Sequence, residues 1–181
     1  IPWWTTDIGG FHGGDPSDPA FRELFTRWFQ WGAFCPVMRL HGDREPKPEN
    51  RPTDSGSDNE IWSYGEEVYE ICKKYIGIRE ELRDYTRGLM KEAHEKGTPV
   101  MRTLFYEFPA DKKAWDVETE YLFGSKYLVV PVFEAGKRSV EVYLPAGASW
   151  KVWGQDDVIH EGGKEIQVDC PIETMPVFVR V

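Results

Sequence analysis

The first forty residues alternate between short apolar runs and polar, glycine-containing breaks. Residues 1–8 form a mostly apolar run that a glycine pair ends. Residues 17–19, Ser-Asp-Pro, supply helix-capping side chains and a proline suited to a first helical turn, and apolar side chains then recur at helical spacing up to Gly32. A second apolar run covers residues 35–40. The order strand, loop, helix, strand predicts a βαβ unit of a parallel sheet.

The middle of the chain combines a long polar segment with a long amphipathic one. Residues 42–60 are rich in Pro, Asp and Ser and predict a long loop. Residues 66–96 place apolar side chains three or four positions apart, which predicts one amphipathic helix. We expect this helix to bend near Gly77 and to end just before Gly97.

After residue 97 short β-rich runs alternate with turns, which predicts an antiparallel all-β domain. We therefore expect two domains, an α/β domain over residues 1–97 and a β domain over residues 98–181. The predicted strands of the second domain are 100–105, 127–132, 139–144, 150–153, 165–168 and 177–181.

Composition narrows the class of protein. The chain has 181 residues, of which 40% are hydrophobic and 14% aromatic, so it has enough apolar bulk for a core. It carries 22 basic and 31 acidic residues, a net charge of −9, which argues against nucleic acid as a partner. No apolar stretch reaches the roughly 18 residues of a membrane span. The chain lacks an initiator Met and begins in dense aromatic sequence, so we expect a fragment of a longer protein.

Metal and cofactor chemistry find little support in the sequence. The three cysteines, Cys35, Cys72 and Cys170, lie far apart without a CxxC pair, and we expect them to be buried and apolar in role. The four histidines show no metal-ligand spacing. The chain has no GxGxxG, P-loop or GxSxG motif.

Two polar residues follow the predicted parallel strands at equivalent positions. Asp7 ends the first strand and His41 ends the second, each just before glycine. Parallel-sheet enzymes carry their working residues at such strand ends, so the pair is a candidate site. Taken singly, Asp7 has an alternative role as a helix-capping or loop-bracing carboxylate, and His41 as a hydrogen-bonded core histidine.

Aromatic residues around this pair point to a sugar ligand. Flat aromatic faces stack on the C–H faces of sugars, while carboxylate and imidazole groups bind hydroxyls. We assign Phe11 to the pocket and interpret Trp28 and Trp31 as packing residues of the predicted helix. The aromatic residues of the first third are Trp3, Trp4, Phe11, Trp28, Trp31 and Trp62.

Four ordered blocks of the sequence closely resemble successive blocks of glycoside hydrolase family 31. The resemblance covers nearly the whole chain and is strongest to the α-xylosidase and α-glucosidase-like branch. It implies the last two βα units of a (β/α)8 TIM barrel, with Asp7 ending strand seven and His41 ending strand eight, followed by a proximal antiparallel β-sandwich domain, both incomplete. The blocks are IPWWTTDIGGF, RWFQWGAFCPVMRLHG, GTPVMRTLFYEFP and YLFGSKYLVVPVFEAG.

The resemblance also implies roles for particular residues. Asp7, Phe11 and His41 match family positions that bind the terminal sugar, and Arg39 matches a position that braces the barrel end. The family retains anomeric configuration with two aspartates, an attacking nucleophile and an acid/base. Both are expected upstream of Ile1, so this chain is expected to have no catalytic residue of its own. No cofactor is implied, and the missing remainder of the barrel is an expected partner.

Two functions therefore stand as expectations. The first is a fragment of a retaining α-glycosidase that hydrolyses terminal α-xylosides or α-glucosides. The alternative is a non-catalytic carbohydrate-binding or scaffold module, for which Trp150 and Trp153 are the aromatic candidates in the β domain. The sequence leaves the sugar, the linkage, the oligomeric state and the cellular compartment open.

Overall fold

The chain divides into two compact units, each with its own buried core. One comprises residues 4–83, and the other comprises residues 84–181 together with Pro2 and Trp3. The predicted domain boundary near residue 97 stays a prediction. The computed structural model describes residues 2–47, 49, 56–155 and 158–181.

The first unit contains the predicted helix after the glycine-rich loop. Helix α1 spans Pro19–Gly32, with proline at its first position, and the Asp18 side chain accepts a hydrogen bond from the Ala20 amide at 3.0 Å. This confirms both the helix and its capping signal. Its Phe25 side chain is fully buried and stacks on the Tyr64 ring at 3.7 Å between centroids.

The two predicted strands of this unit are much shorter than expected. Instead of strands over 1–8 and 35–40, the described residues of these segments form a single parallel bridge, between Ile8 and Leu40. Few backbone hydrogen bonds join the segments there, too few for a continuous ladder. The expected direction of pairing is confirmed, whereas the expected extent of the strands is wrong.

The long amphipathic segment forms two helices rather than one. Helix α2 spans Glu66–Glu81 and helix α3 spans Arg83–Lys96. The interruption is at Leu82, whose ψ of −1° departs from the helical value of about −42°. Gly77, where a bend was expected, stays helical, and a Cβ there would meet no atom within 4 Å. The polar loop predicted over 42–60 ends in a short 3₁₀ helix at Ile61–Tyr64, and part of it lies outside the described residues.

The second unit is antiparallel throughout its described strands, as predicted. Six strands form a sheet in the order β1-β2-β3-β8-β5-β6, and β4 pairs with β7 in a second sheet. The strands are β1 (Met101–Arg102), β2 (Tyr121–Phe123), β3 (Tyr127–Val129), β4 (Ser139–Leu144), β5 (Ser149–Val152), β6 (Ile159–Glu161), β7 (Lys164–Asp169) and β8 (Val177–Arg180).

The strand predicted over residues 100–105 is much shorter in the structure, where β1 ends at Arg102. After β1 the chain turns into the short helix α4, Leu104–Glu107, followed by a 3₁₀ turn at Lys113–Trp115. The turn brings the Glu107 carboxylate to the nearly buried Arg102 guanidinium, with a contact of 2.5 Å. Strands β2 and β6, three residues each, were not predicted because three residues carry almost no periodic signal.

The core of the second unit draws side chains from both sheets. Leu122 and Phe178 of the larger sheet cluster with Val142 and Leu144 of the smaller one. Trp150 is fully buried among them, and its indole N–H donates to the Pro145 carbonyl at 3.1 Å. No helix among the described residues is long and apolar enough to span a membrane.

All three cysteines are buried, as predicted, and none of them is joined in a disulfide. Burial raises the pKa of Cys35 and of Cys72 to about 12. The thiols of Cys35 and Cys72 are therefore protonated at neutral pH and behave as small apolar groups.

Candidate functional site

The candidate site lies on the first unit, where the Ile8–Leu40 bridge sets two segments side by side. Because the bridge is parallel, Asp7 lies beside Arg39 on the adjacent segment, and His41 directly follows Leu40 on the other side of the bridge. Further backbone hydrogen bonds continue the pairing into the loops. They join Val37 N to Trp4 O (3.1 Å), Ile8 N to Arg39 O (3.3 Å), Asp43 N to Phe11 O (3.0 Å) and Glu45 N to Gly14 O (2.9 Å).

The structure brings two of the three predicted site residues into contact. The rings of Phe11 and His41 lie 5.3 Å apart at 36° to one another. Both residues are exposed, with Phe11 at 51%, so His41 is not a core histidine. Among the described residues, no hydrogen-bond partner occupies the His41 ring nitrogens. An imidazole beside an aromatic ring is thus open to an incoming ligand.

The side chain of Asp7 is bound by Arg39, which lies on the segment over residues 35–40. Its Oδ1 accepts a hydrogen bond from Arg39, and its backbone carbonyl accepts from the Gly10 amide at 2.8 Å. The carboxylate side chain is 24% exposed. Its second oxygen has no partner among the described residues, so Asp7 combines the bracing contact considered above with a free acceptor.

A histidine–aspartate pair next to these residues was not singled out from the sequence. His12 Nδ1 lies 2.7 Å from Asp43 Oδ1, and Lys47 Nζ lies 3.0 Å from the other carboxylate oxygen. The hydrogen bonds from His12 and Lys47 lower the pKa of Asp43 to about 2. The His12 ring also meets the Phe11 ring edge-on at 4.2 Å. The sequence signal that could have pointed to His12 is its position directly after Phe11, which we assign to the pocket.

Arg44 organises the loops that carry the site, and sequence reasoning missed it. Its side chain is fully buried. Its Nε lies 3.0 Å from Asn59 Oδ1 and 2.8 Å from Tyr64 Oη. Its terminal nitrogens donate to the carbonyls of Ile8 (3.1 Å), Gly10 (3.0 Å), Gly13 (3.0 Å) and Asp43 (3.0 Å).

These partners are all neutral, so dipoles rather than a carboxylate stabilise the buried charge within the described part of the chain. The guanidinium thereby satisfies carbonyls that a tight glycine loop leaves without ladder partners. Burial raises the pKa of the Tyr64 hydroxyl, which stays a neutral partner of Arg44.

The glycines beside Arg44 are required by close approach. Gly9 has φ of +83°, and a Cβ there would lie 2.6 Å from an Arg44 terminal nitrogen. Gly42 has φ of +129°, and its Cβ would lie 2.3 Å from the Gly10 carbonyl oxygen. Neither the conformation nor the space suits a side chain, so both glycines that follow the predicted strands serve the loop geometry.

An open hollow of about 450 Å³ also lies on this unit, and it is a different feature. Asp7, Phe11 and His41 are not among its lining residues. No group of three or more His, Cys, Asp or Glu side chains in the described residues is arranged to hold a metal ion. The hollow is lined by Asp15, Pro16, Ser17, Arg22, Glu45, Pro46, Ser57, Asp58 and Ser63.

Comparison with known families accounts for nearly the whole chain. Residues 1–89 match the family model described as glycosyl hydrolases family 31 TIM-barrel domain, and residues 97–181 match the glycosyl hydrolase family 31 C-terminal domain. The chain belongs to glycoside hydrolase family 31. Family 31 membership confirms the resemblance of the four sequence blocks and the combination of a barrel portion with a C-terminal β domain.

Similar family 31 proteins are much longer than this chain. It is 37% identical over 180 residues to an alpha-xylosidase of Saccharolobus solfataricus, covering 99% of this chain and 23% of that protein. It is 34% identical over 177 residues to alpha-glucosidase 2 of Bacillus thermoamyloliquefaciens, covering 96% and 20%. The chain therefore spans between a fifth and a quarter of these two curated relatives.

Solved structures of the family share the same fold over the same stretch. A GH31 alpha-xylosidase from a soil metagenome, complexed with xylose, superimposes with a TM-score of 0.93 at 52% identity, covering 99% of this chain and 28% of that one. A GH31 dextranase of Flavobacterium johnsoniae, complexed as a mutant with isomaltotriose, has a TM-score of 0.87 at 36% identity, covering 99% and 21%. These relatives bind sugars.

Proposed function

We propose that this chain forms the substrate-binding side of the active site of a retaining α-glycosidase that acts on terminal α-xylosides or α-glucosides. In this proposal residues 1–97 are the last two βα units of a (β/α)8 barrel, and residues 98–181 are the proximal β-sandwich domain. The α-xylosidases and α-glucosidases among the relatives support this substrate class.

The observation that carries the proposal is the contact between the Phe11 and His41 rings beside the parallel bridge that Asp7 precedes. Phe11 and His41 meet at 5.3 Å, and the Asp7 carboxylate lies on the neighbouring segment with one oxygen open. An aromatic face suits the C–H face of a sugar, and a carboxylate with an imidazole suits its hydroxyls. Such contacts hold the terminal sugar in place for attack at its anomeric carbon.

Bond cleavage in this proposal belongs to carboxylates outside the 181 residues. Retaining enzymes place a nucleophile and an acid/base about 5–5.5 Å apart on either side of the glycosidic bond. Asp7 is engaged with Arg39 in a bracing and hydroxyl-binding role, so we assign it to neither function. This chain contributes binding and orientation, which lower the barrier only in company with the missing aspartates.

The alternative of a carbohydrate-binding module has less support. Trp150, one of its two aromatic candidates, is fully buried with its indole N–H bonded to Pro145. Trp153 packs against the Tyr127 ring at 5.1 Å between centroids. Trp150 therefore has no free face on which such a module could stack a sugar, and the Trp153 ring already has an aromatic neighbour.

The test begins with recovery of the longer reading frame that contains this chain. We expect it to encode a family 31 barrel upstream of Ile1, and its absence from the source DNA would overturn the proposal. In the full-length enzyme, Asp7→Ala and His41→Ala each remove a charged or polar hydrogen bond worth about 1.5–3 kcal/mol, a loss of roughly ten- to 150-fold in kcat/KM.

The substrates are aryl α-xyloside and aryl α-glucoside, and the matched control is His94→Ala. His94 is an exposed histidine of α3, and we expect its replacement to leave kcat/KM unchanged. The 181-residue chain alone should show no turnover above its own His41→Ala variant. Unchanged kcat/KM in folded Asp7→Ala and His41→Ala enzymes contradicts the assignment.

A further inference from the structure

We propose that His12, oriented by Asp43, binds a hydroxyl of the leaving-group sugar and so makes the enzyme favour oligosaccharides over simple glycosides. This inference rests on the proposed function, because it extends the same site outward by one sugar. It assigns a specificity role to a residue that no motif singled out.

The first step is that the His12 ring is fixed although it is exposed. Its side chain is 72% exposed, yet Nδ1 lies 2.7 Å from Asp43 Oδ1. Asp43 is itself held, by Lys47 at 3.0 Å and by its backbone amide, which donates to the Phe11 carbonyl at 3.0 Å. The ring further packs edge-on against Phe11 at 4.2 Å. Two contacts thus hold the ring directly, and two more hold the carboxylate that orients it.

The second step is the chemistry of the remaining nitrogen. The Asp43 carboxylate is ionised at neutral pH, since hydrogen bonds from His12 and Lys47 lower its pKa to about 2. An ionised carboxylate only accepts, so Nδ1 must carry the shared proton. In the neutral ring Nε2 is then an acceptor, without a partner among the described residues. A sugar hydroxyl is a suitable donor, whereas an aryl leaving group without hydroxyls offers none.

The third step is the position of His12 along the site. The side chain of Asp7 is 24% exposed and that of His12 is 72% exposed. Phe11 as a whole residue is 51% exposed. Phe11 contacts both His41 and His12, so it separates the terminal-sugar contacts from the histidine–aspartate pair. In this proposal the leaving group of a terminal sugar bound by Asp7 and His41 lies on the more exposed side, where His12 is.

The test compares two substrates in the full-length enzyme that contains this chain. One is α-xylosyl-(1→6)-glucose, whose leaving group is a hydroxylated ring, and the other is p-nitrophenyl α-xyloside, whose leaving group has no hydroxyl. His12→Phe keeps the aromatic contact with Phe11 and removes the acceptor. We expect kcat/KM to fall about three- to tenfold on the disaccharide, as for loss of one neutral hydrogen bond, and less than about twofold on the aryl substrate.

Two companion measurements make the result specific. Asp43→Ala should give the same selective loss, because the ring then has no acceptor that holds the proton on Nδ1. Inhibition by free xylose, which fills only the terminal-sugar site, should be unchanged in His12→Phe. His94→Phe serves as the matched histidine control on a surface helix.

Equal losses on both substrates would show that His12 only braces the loop, and no loss on either would show that it binds nothing; each result overturns the inference. Failure of the proposed function gives a different pattern, because His41→Ala then leaves both substrates unaffected whatever His12→Phe does.

Discussion

Arg39 donates a hydrogen bond to the carboxylate of Asp7, and this pair ties together the two segments that carry the candidate site. The contact leaves one Asp7 oxygen open and restricts the carboxylate to few orientations. The Ile8 amide bonds to the Arg39 carbonyl at 3.3 Å, so backbone and side chain link the same two segments. If Asp7 binds a sugar as proposed, Arg39 acts on that sugar through Asp7.

Replacement of Arg39 should therefore lower kcat/KM less than replacement of Asp7. The pair is partly exposed, with the Arg39 side chain at 49%, and such ion pairs contribute at most about 1 kcal/mol. We expect Arg39→Ala to lower kcat/KM of the full-length enzyme about two- to fivefold. The exposed Arg87→Ala on α3 is the control. A loss as large as that of Asp7→Ala means instead that Arg39 contacts the sugar directly.

Arg44→Met should strongly destabilise the chain. The substitution keeps apolar bulk but leaves the carbonyls of Ile8, Gly10 and Gly13 without their donor, and each unsatisfied buried group costs about 1–3 kcal/mol. We expect the free energy of unfolding to drop by about 3 kcal/mol or more in urea titration. Arg87→Met, an exposed arginine, should change it by less than about 0.5 kcal/mol. Similar stabilities of the two variants contradict a structural role for the Arg44 guanidinium.

Glu120 should make the stability of the second unit depend on pH. The Tyr143 amide donates to Glu120 Oε1 at 2.7 Å, and Oε2 is buried without a partner among the described residues. Burial raises the pKa of this carboxyl to about 8. The folded state then binds a proton that the unfolded state, with the ordinary pKa of 4.5, releases.

Stability due to Glu120 is thus full below about pH 4.5 and is lost as the pH rises toward about 8, by on the order of a few kcal/mol. Glu120→Gln keeps the acceptor and the shape but cannot ionise, so we expect its urea midpoint to vary less over this range. Glu118→Gln, an exposed neighbour, should follow the wild-type curve. Parallel curves for Glu120→Gln and wild type show that Glu120 is ionised in the folded state.

Hydrogen exchange should differ between the two units. In the described part of the first unit, residues 4–8 and 35–40 pair through one parallel bridge, whereas β8 of the second unit lies between β3 and β5 and pairs on both sides. Opening a central strand breaks more bonds and exposes more apolar surface than opening an isolated bridge. We expect the amides of Ile8 and Val37 to exchange at least about tenfold faster than those of Val179 and Arg180. Equal protection contradicts the weaker pairing of the first unit.

The sequence by itself determined those elements whose signals are local. Helix α1 begins at the capping residues predicted for it and ends at Gly32, and β4 spans the predicted residues. Asp7 and His41 were predicted to meet at one edge because parallel strands align their ends. The structure shows Phe11 and His41 in contact, while a shared site of Asp7 and His41 stays a prediction.

Only the tertiary structure decided the rest, because it depends on partners far apart in the chain. Arg44 lies in a polar segment that predicts a loop, yet its guanidinium reaches carbonyls 31 to 36 residues away. The interruption at Leu82 coincides with no glycine, and the turn after β1 is what brings Glu107 to Arg102. The bond between His12 and Asp43 spans 31 residues. Such contacts leave no periodic trace, since they require the loops to be folded before the side chains can meet.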